Sequence, residues 1–437
     1  LNLPNLLGTR TGRMTALFSL YACKGIPYGF TSLALVNEMS AQGLSKQVIG
    51  WYFSSLTWPW AIKWMFGPSV DLFYSRRLGR RRTWLLLTQL VMGLTLLAAS
   101  QIDLSLHVRI FIAVIFVHNL FAATQGVAMG ALACDCVPEE ERGMANGLMS
   151  AGAYAGTAIG GSGAIFLIDR IGIFKNYVLV AGAIFTIAVM VTLNLREKPV
   201  PEREIGPREN AWALMFAEIR TYLRDAVRAM LATRQAVFGI FFALLPPGAF
   251  ALSLAFATTF AKQELGMSND SYAALSAVAP MVSAAFCILG GLLSDRFGRR
   301  PLMAISVFGV ALPTLYLAFV LWSKGILMPG DANDMPAVDL HHLVVAYWIV
   351  TLIYAALQGI GYSVQAAIFM DVTSPLVAAT QFTAYTALMN FARSWYAIVQ
   401  GYAEESVSYP LMLTLDCCIG VLCLVPLFWM KGKKAAS

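Results

Sequence analysis

About twelve apolar stretches near 20 residues long run through this chain, the length a helix needs to cross a hydrocarbon layer roughly 30 Å thick. They lie near 14–36, 47–68, 82–101, 108–130, 145–168, 176–195, 236–260, 271–293, 301–322, 342–370, 382–402 and 410–430. In such a layer each backbone N–H and C=O must be satisfied within its own segment, so these runs have to be helices. Of 437 residues, 58% are hydrophobic and 13% charged, far from the roughly 25% charged residues of a soluble domain. Mean hydropathy is +0.66. The expected fold is an all-α integral membrane protein with twelve transmembrane helices. Leu1–Arg13 is short and mixed in polarity, so no cleavable signal peptide is expected ahead of the first span.

The formal net charge is +7, and its distribution decides what it means. With a cytoplasmic N-terminus and loops alternating between sides, about 22 of the 31 Lys and Arg fall on cytoplasmic segments. Six lie on the other side and three within spans. That asymmetry is the positive-inside rule, with both termini cytoplasmic. No basic, aromatic-interleaved face exists outside the loops, so nucleic acid is not an expected partner. The seven cysteines carry no redox pattern. Cys134 and Cys136 flank Asp135 with no second pair or nearby His, so no metal and no cofactor are expected. Asp331, Asp334 and Asp339 fit no calcium-loop spacing and read as a solvated turn. His341-His342 reads as interfacial.

One short loop motif occurs twice. Gly67-Pro68-Ser69-Val70-Asp71 is followed by Gly79-Arg80-Arg81-Arg82, and Gly291-Leu292-Leu293-Ser294-Asp295 by Gly298-Arg299-Arg300. Gly43-Leu44-Ser45 recurs as Gly266-Met267-Ser268 at nearly the same offset. Matched offsets at two points predict a duplication into two pseudo-symmetric six-helix bundles, residues 1–195 and 235–437, with a substrate site between them near the bilayer midplane. Residues 196–234 form a charged, proline-broken linker. Within it Trp212, Phe216, Ile219, Leu223, Val227 and Met230 recur at helical spacing, with Arg220, Arg224 and Arg228 on another face. The pattern predicts an amphipathic helix on the cytoplasmic leaflet, most simply a tether.

The loop motif suits a gate. A carboxylate at a helix end can meet the positive N-terminus of a neighbouring helix or pair with loop arginines, and such contacts bias a two-state equilibrium when they break in one state. Asp71 and Asp295 are gating candidates on this ground, with Arg80, Arg81 and Arg299 from the loops. Asp135 and Asp371, at the inner ends of the fourth and tenth spans, and Arg142 join them. Gly79 and Gly298 are expected to make the tight reversals. Lys63 is assigned to the same gate because it can snorkel toward the cytoplasmic surface.

Charges within the spans point to the substrate, because an uncompensated ion at mid-membrane costs several kcal/mol. Lys24 lies near the middle of the first span and Arg393 near the middle of the eleventh, whereas Asp416 is the one acid at depth, expected to pair peripherally. An electropositive cavity favours an anionic or carboxylate-bearing solute. Gln125, Gln358 and Gln365 are candidate polar contacts, with Tyr28, Tyr154, Tyr362 and Trp395 as candidate stacking surfaces. Pro27-Tyr28-Gly29 and Pro246-Pro247-Gly248 are expected to break the first and seventh spans and free backbone groups for the cavity.

Four stretches carry a family resemblance. They are Gly25–Phe30; Lys63–Asp71 with Leu78–Leu86; Ala123-Thr124-Gln125 leading to Asp135 and Pro138–Gly143; and Ala379–Phe382 leading to Arg393. Together they resemble the major facilitator superfamily, in its branch of AmpG-type muropeptide permeases, siderophore permeases and acetyl-coenzyme A transporters. The resemblance implies import across a bacterial inner membrane by alternating access. Members of that branch typically read Gln-Asp-x-x-x-Asp in the fourth span, acids suited to proton coupling. The matching positions here are Gly126 and Gly130. A coupling proton therefore stays open as a partner, beside a small-molecule substrate and membrane lipid, for a chain expected to be monomeric. Export of the same solute class and a non-transporting receptor or assembly role remain as alternatives. No metal cluster, phosphate loop or nucleophile elbow suggests an enzyme.

Overall fold

The computed structural model of the chain describes residues 5–429 apart from 43–45, 76, 105, 198–210, 251, 253–259, 268, 329, 332–335 and 375–376. Gly43-Leu44-Ser45, Ser268, Asp334, the charged start of the linker from Lys198, and the side chains of Trp212, Phe216, Ile219 and Leu223 lie outside the described residues. Among those described, the regular elements are helical. They are α1 (Arg10–Gly29), α2 (Leu35–Ala41), α3 (Lys46–Ala61), α4 (Gly67–Leu72), α5 (Arg80–Ala99), α6 (Val108–Cys136), α7 (Arg142–Ala158), α8 (Ala164–Ile171) and α9 (Ile173–Met190). After the linker come α10 (Ala211–Ala232), α11 (Arg234–Leu244), α12 (Asn269–Phe297), α13 (Arg299–Ser323), α14 (Ala337–Val372), α15 (Ala378–Ser406), α16 (Tyr409–Val421) and α17 (Leu424–Trp429).

Eight helices among the described residues are long and apolar enough to cross a membrane, and a ninth if α10 and α11, bent by 93°, form one span. Four of the expected twelve fall short, each for a local cause: the first, α1, carries Arg10, Arg13 and Lys24 in its 20 residues. The second predicted span is α3, only 16 residues long, followed by a 3-10 turn at Lys63–Phe66. The seventh ends as a helix at Leu244, just before Pro246-Pro247. The eleventh is a continuous 29-residue helix, α15, whose Gln381, Thr383, Asn390, Arg393 and Gln400 lower its apolarity.

The chain divides into two compact units that do not follow sequence order throughout. Unit 1 comprises Leu1–Glu139, Gly152–Ala236 and Thr373–Ala387, and unit 2 comprises Glu140–Ala151, Val237–Val372 and Leu388–Ser437. The core of unit 1 gathers Phe30, Tyr52, Met92, Phe111 and Tyr177, with a second cluster of Leu20, Val70, Leu85 and Leu132 near the first Gly–Arg loop. In unit 2 the core holds Phe260, Leu317, Tyr347, Tyr354 and Tyr409. Polarity is arranged as in lipid. On α5 the polar Thr88 and Gln89 are buried, whereas Leu87, Leu90 and Leu94 are 42%, 50% and 53% exposed. Leucine on the outside suits hydrocarbon as solvent, where each buried polar group needs a partner.

Within unit 1, α1 packs backbone against backbone with the later part of α7 and the π-helical turn Ile159–Gly163 that continues it. A Cβ added at Gly25, Gly29, Gly156 or Gly160 would collide with the carbonyl oxygen of Ala153, Thr157, Ala22 or Ile26 respectively. Four-residue glycine spacing on facing helices is the small-residue packing of membrane proteins.

The expectation that Pro27-Tyr28-Gly29 breaks the first span is corrected. Helix α1 passes through Pro27 and relaxes into a π-helical turn at Phe30–Ala34, which continues as α2. Pro27 lacks an N–H, and the wider turn re-pairs the ladder, with Phe30 N–H donating to Ile26 and Pro27 carbonyls and the Thr31 hydroxyl to Pro27 at 2.9 Å. In unit 2 the corresponding Pro246-Pro247-Gly248 does follow a helix end, and Gly248 adopts φ +88°.

Candidate functional site

Both copies of the loop motif turn on a glycine with positive φ, Gly79 at +102° and Gly298 at +90°, each immediately before a helix. A side chain at either position would be strained, since only glycine visits that region freely. The acids of the two copies are held differently. In unit 1 the buried Asp71 accepts from Arg80 Nη2 at 2.7 Å and Arg81 Nη1 at 2.5 Å. Arg81, fully buried, also donates from Nε to Asp135 at 2.8 Å. Glu197, at the start of the linker, caps α5 by accepting the backbone N–H groups of Arg81 and Arg82, the latter at 2.6 Å. A carboxylate at a helix N-terminus is stabilised there by the unsatisfied N–H groups and the helix dipole.

In unit 2 the acid itself is the cap. Asp295 accepts from the backbone N–H of Gly143 and of Met144, both at 2.8 Å, in the first turn of α7. Asp371 joins Arg142, at 2.8 Å, and Arg299. The approach requires Gly143, where a Cβ would strike Ser294 Oγ and the Gly291 carbonyl. Gly143→Ala is expected to destabilise the protein by about 1–3 kcal/mol through overpacking. A lowered thermal unfolding midpoint in detergent would show it; an unchanged midpoint would rule out the packing argument.

The mid-span cations rest on aromatic rings. In unit 1, Lys24 Nζ lies 4.7 Å from the Trp60 ring centroid and 5.5 Å from that of Tyr21. Among the described residues it has no acidic partner. Tyr28, 44% exposed, meets Trp60 edge to face at 6.5 Å. Lys63 sits within electrostatic reach of Lys24. Beside Lys24, the buried Cys23 thiol accepts weakly from Gln89 Nε2 at 3.6 Å and Gln125 Nε2 at 3.9 Å. The Oε1 atoms of both glutamines and Trp60 Nε1 are buried with no hydrogen-bond partner among the described residues. Such orphaned groups cost about 1–3 kcal/mol each unless something supplies the missing contact. Tyr154 is half-buried on α7.

In unit 2 the guanidinium of Arg393 lies 4.7 Å from the Tyr362 ring centroid and 5.7 Å from that of Phe250. It too has no acidic partner among the described residues. Gln358 donates to the Tyr354 hydroxyl at 2.8 Å, and that hydroxyl donates to the Ala249 carbonyl at 2.7 Å. Gln365 is buried with both amide atoms unpartnered among the described residues, as is Gln400, two turns beyond Arg393 on α15. The peripheral pairing expected for Asp416 is corrected. It is 2% exposed, accepts the Phe250 N–H at 3.0 Å on both oxygens and takes the Tyr396 hydroxyl. The carboxylate thus anchors the non-helical backbone after Gly248 and, through it, the ring under Arg393.

Trp60, Gln89, Gln400 and the capping role of Glu197 escaped the sequence reading. Gln89 and Gln400 carry the signal that marked Gln125, an amide inside an apolar run. Trp60 carries none that separates it from Trp58, 63% exposed two residues away.

A model of the Major Facilitator Superfamily matches residues 17–397 and, separately, 248–436. The chain belongs to that superfamily. Within it the likeness is to the AmpG-like branch. The anhydromuropeptide permease of Escherichia coli K12 is 25% identical over 410 residues, covering 90% of this chain and 74% of the permease. A Rickettsia prowazekii transporter, AmpG 1, is 27% identical over 180 residues, covering 39% of this chain and 40% of its own length. The proton:xylose symporter XylE superposes with a TM-score of 0.68 at 13% identity, covering 96% of each chain. FucP, of the same superfamily, does so with 0.62 at 14%, covering 96% of this chain and 99% of its own. At such identities the structural likeness is one of fold. The chain is a multi-pass membrane transport protein, and its family and fold are those of transporters and not of enzymes.

The two fourth-span glycines stand in a filled space in this transporter. A Cβ at Gly130 would lie 2.9 Å from the Phe382 ring, and one at Gly126 would lie 3.3 Å from that of Trp60. The ring that meets the Lys24 ammonium also covers Gly126.

Proposed function

We propose that this transporter moves an anionic organic solute, muropeptide- or siderophore-like, inward across a bacterial inner membrane. The observation that carries the reading is the pair of mid-span cations, Lys24 and Arg393, each faced by aromatic rings and by no described acid. An ammonium or guanidinium held on a ring keeps its N–H donors available, and in a site of low dielectric it attracts a carboxylate far more strongly than it would in water. The unpartnered amides of Gln89, Gln125, Gln365 and Gln400 would complete the contacts, and Tyr28 and Tyr154 would offer surfaces for rings.

Transport runs by alternating access, in which the halves 1–195 and 235–437, joined by 196–234, change orientation across twelve spans with both termini cytoplasmic. Asp71, Asp135, Asp295 and Asp371 with Lys63, Arg80, Arg81, Arg142 and Arg299 form the gate. In support, Arg142, Gly143 and Met144 come from the first half of the sequence, and the acids they meet, Asp295 and Asp371, from the second. The unit of transport is the monomer.

Uptake into proteoliposomes tests the reading with an anhydromuropeptide, a ferric siderophore and an acyl-coenzyme A. Saturable uptake of one of them supports it, and failure of all three in either direction overturns it. Coupling is tested in the same vesicles. With glycines at positions 126 and 130, accumulation should depend only weakly on a pH gradient, and complete collapse on adding a protonophore would contradict that.

A further inference from the structure

From the end of α11 at Leu244 to Phe250 the backbone of unit 2 is not helical, and Pro246 and Pro247 have no N–H to donate. The backbone groups around the two prolines therefore need partners from elsewhere, and three helices of the same unit supply them. The Leu244 carbonyl accepts from Trp395 Nε1 of α15 at 3.4 Å, and the Ala249 carbonyl from the Tyr354 hydroxyl of α14 at 2.7 Å. Gly248 N–H donates to the Gly420 carbonyl of α16 at 3.2 Å. A Cβ at Gly420 would lie 2.3 Å from the Gly248 carbonyl oxygen, so the two backbones touch. These partners are uncharged. The Phe250 N–H is served differently, by the carboxylate of Asp416, one turn before Gly420 on α16, at 3.0 Å to each oxygen.

A carboxylate is a costly acceptor in a membrane span, because it loses hydration that its contacts must replace. A backbone carbonyl suffices for Gly248, two residues earlier. What sets Phe250 apart is its ring. The Arg393 guanidinium lies 5.7 Å from that ring's centroid, and the ring meets Tyr396 edge to face at 6.2 Å. Tyr396 stands three residues beyond Arg393 on α15, and so on the same helix face. Its hydroxyl donates to Asp416. One carboxylate thus holds both the ring beneath the guanidinium and the helical turn that bears it. We propose that Asp416 is a positioning residue for Arg393, keeping the guanidinium in place between the Phe250 and Tyr362 rings. Its charge matters because charge-assisted hydrogen bonds are stronger than neutral ones. The functional side of this inference rests on the reading of Arg393 as a substrate contact. A cation displaced by an ångström meets its ligand poorly.

Position and transport are measured separately. In the purified full chain, labelling of Arg393 by phenylglyoxal is followed by mass spectrometry, with the exposed Arg109 as internal reference. Asp416→Asn should speed labelling of Arg393 about threefold, as expected for loss of one ring contact, and leave Arg109 unchanged. Tyr396→Phe keeps the ring and removes the hydroxyl. It should speed labelling too, and the double variant should go no faster than Asp416→Asn alone. In proteoliposomes Asp416→Asn should raise KM about tenfold for whichever of the anhydromuropeptide, ferric siderophore or acyl-coenzyme A accumulates, with the maximal rate kept within about twofold. Unchanged labelling of Arg393 in both variants overturns the proposal. So does a rise shared by Arg109, or a fall in maximal rate at constant KM, which a merely structural role would give. Faster labelling with KM unaltered upholds the positioning and removes Arg393 from the substrate site. Should Asp416→Asn fail to fold, Tyr396→Phe decides, and should no solute accumulate, the labelling decides.

Discussion

Replacing Lys24 or Arg393 by alanine should reduce uptake by roughly two orders of magnitude, while the protein still folds and inserts. Losing a desolvated, charge-assisted contact to substrate removes about 3 kcal/mol of binding. The effect on stability should run the other way. Neither cation has an acidic partner among the described residues, and each rests on rings, Lys24 on Trp60 and Tyr21, Arg393 on Tyr362 and Phe250. An ion held in a low-dielectric span without a counter-charge lowers the stability of the folded state. Lys24→Met, which keeps most of the apolar stem, should therefore raise the unfolding midpoint as uptake falls. A side chain needed only for structure would lose both together. Retained uptake in both alanine variants would remove the electropositive site.

Arg81→Met should be the most destabilising single change among the loop residues. Arg81 is fully buried and bridges Asp71, itself buried, to Asp135. Removing Arg81 takes one of two guanidinium partners from the buried Asp71 and its pair from the part-exposed Asp135, and breaking a buried ion pair costs about 3–5 kcal/mol. The equivalent change at Arg299, whose side chain is 14% exposed beside Asp371 at 28%, should cost less, because water can take over part of the solvation. Thermal unfolding of the two variants side by side measures the difference. Equal loss would mean that the two copies of the motif carry the same load despite their different geometry.

That difference shows where sequence reading reaches its limit. The duplicated motif, its glycine turns and its acids are all visible as residue types at fixed spacing. What holds each acid is not, because backbone N–H groups leave no trace in composition. Asp295 takes two of them from the first turn of α7, and Glu197, read as part of a tether, takes two from α5. The mid-span cations were legible because a charge in an apolar run stands out. Of their aromatic partners Tyr362 was a stacking candidate, whereas Tyr21, Trp60 and Phe250 were not, because a ring in an apolar run does not stand out. Pro27 shows a third limit. A proline predicts a disturbed helix, but whether the ladder breaks or widens into a π turn is decided by neighbours such as Thr31, whose hydroxyl takes up a loosened carbonyl. The helical, membrane-spanning character follows from composition alone, whereas the short α3 and the proline-ended α11 interrupt runs that hydropathy reads as continuous.

The glycine seam between α1 and α7 bears on how this gene can drift. Every single-nucleotide change that alters a glycine codon's meaning either truncates the chain or adds a side chain. At Gly25, Gly29, Gly156 and Gly160 the first added carbon already meets a carbonyl oxygen of the opposing helix. In a random-mutagenesis screen selected for uptake, these positions should be as depleted of variants as Lys24. They would pass for ligand contacts while touching only main chain, and a map of intolerant sites would overstate the size of the pocket.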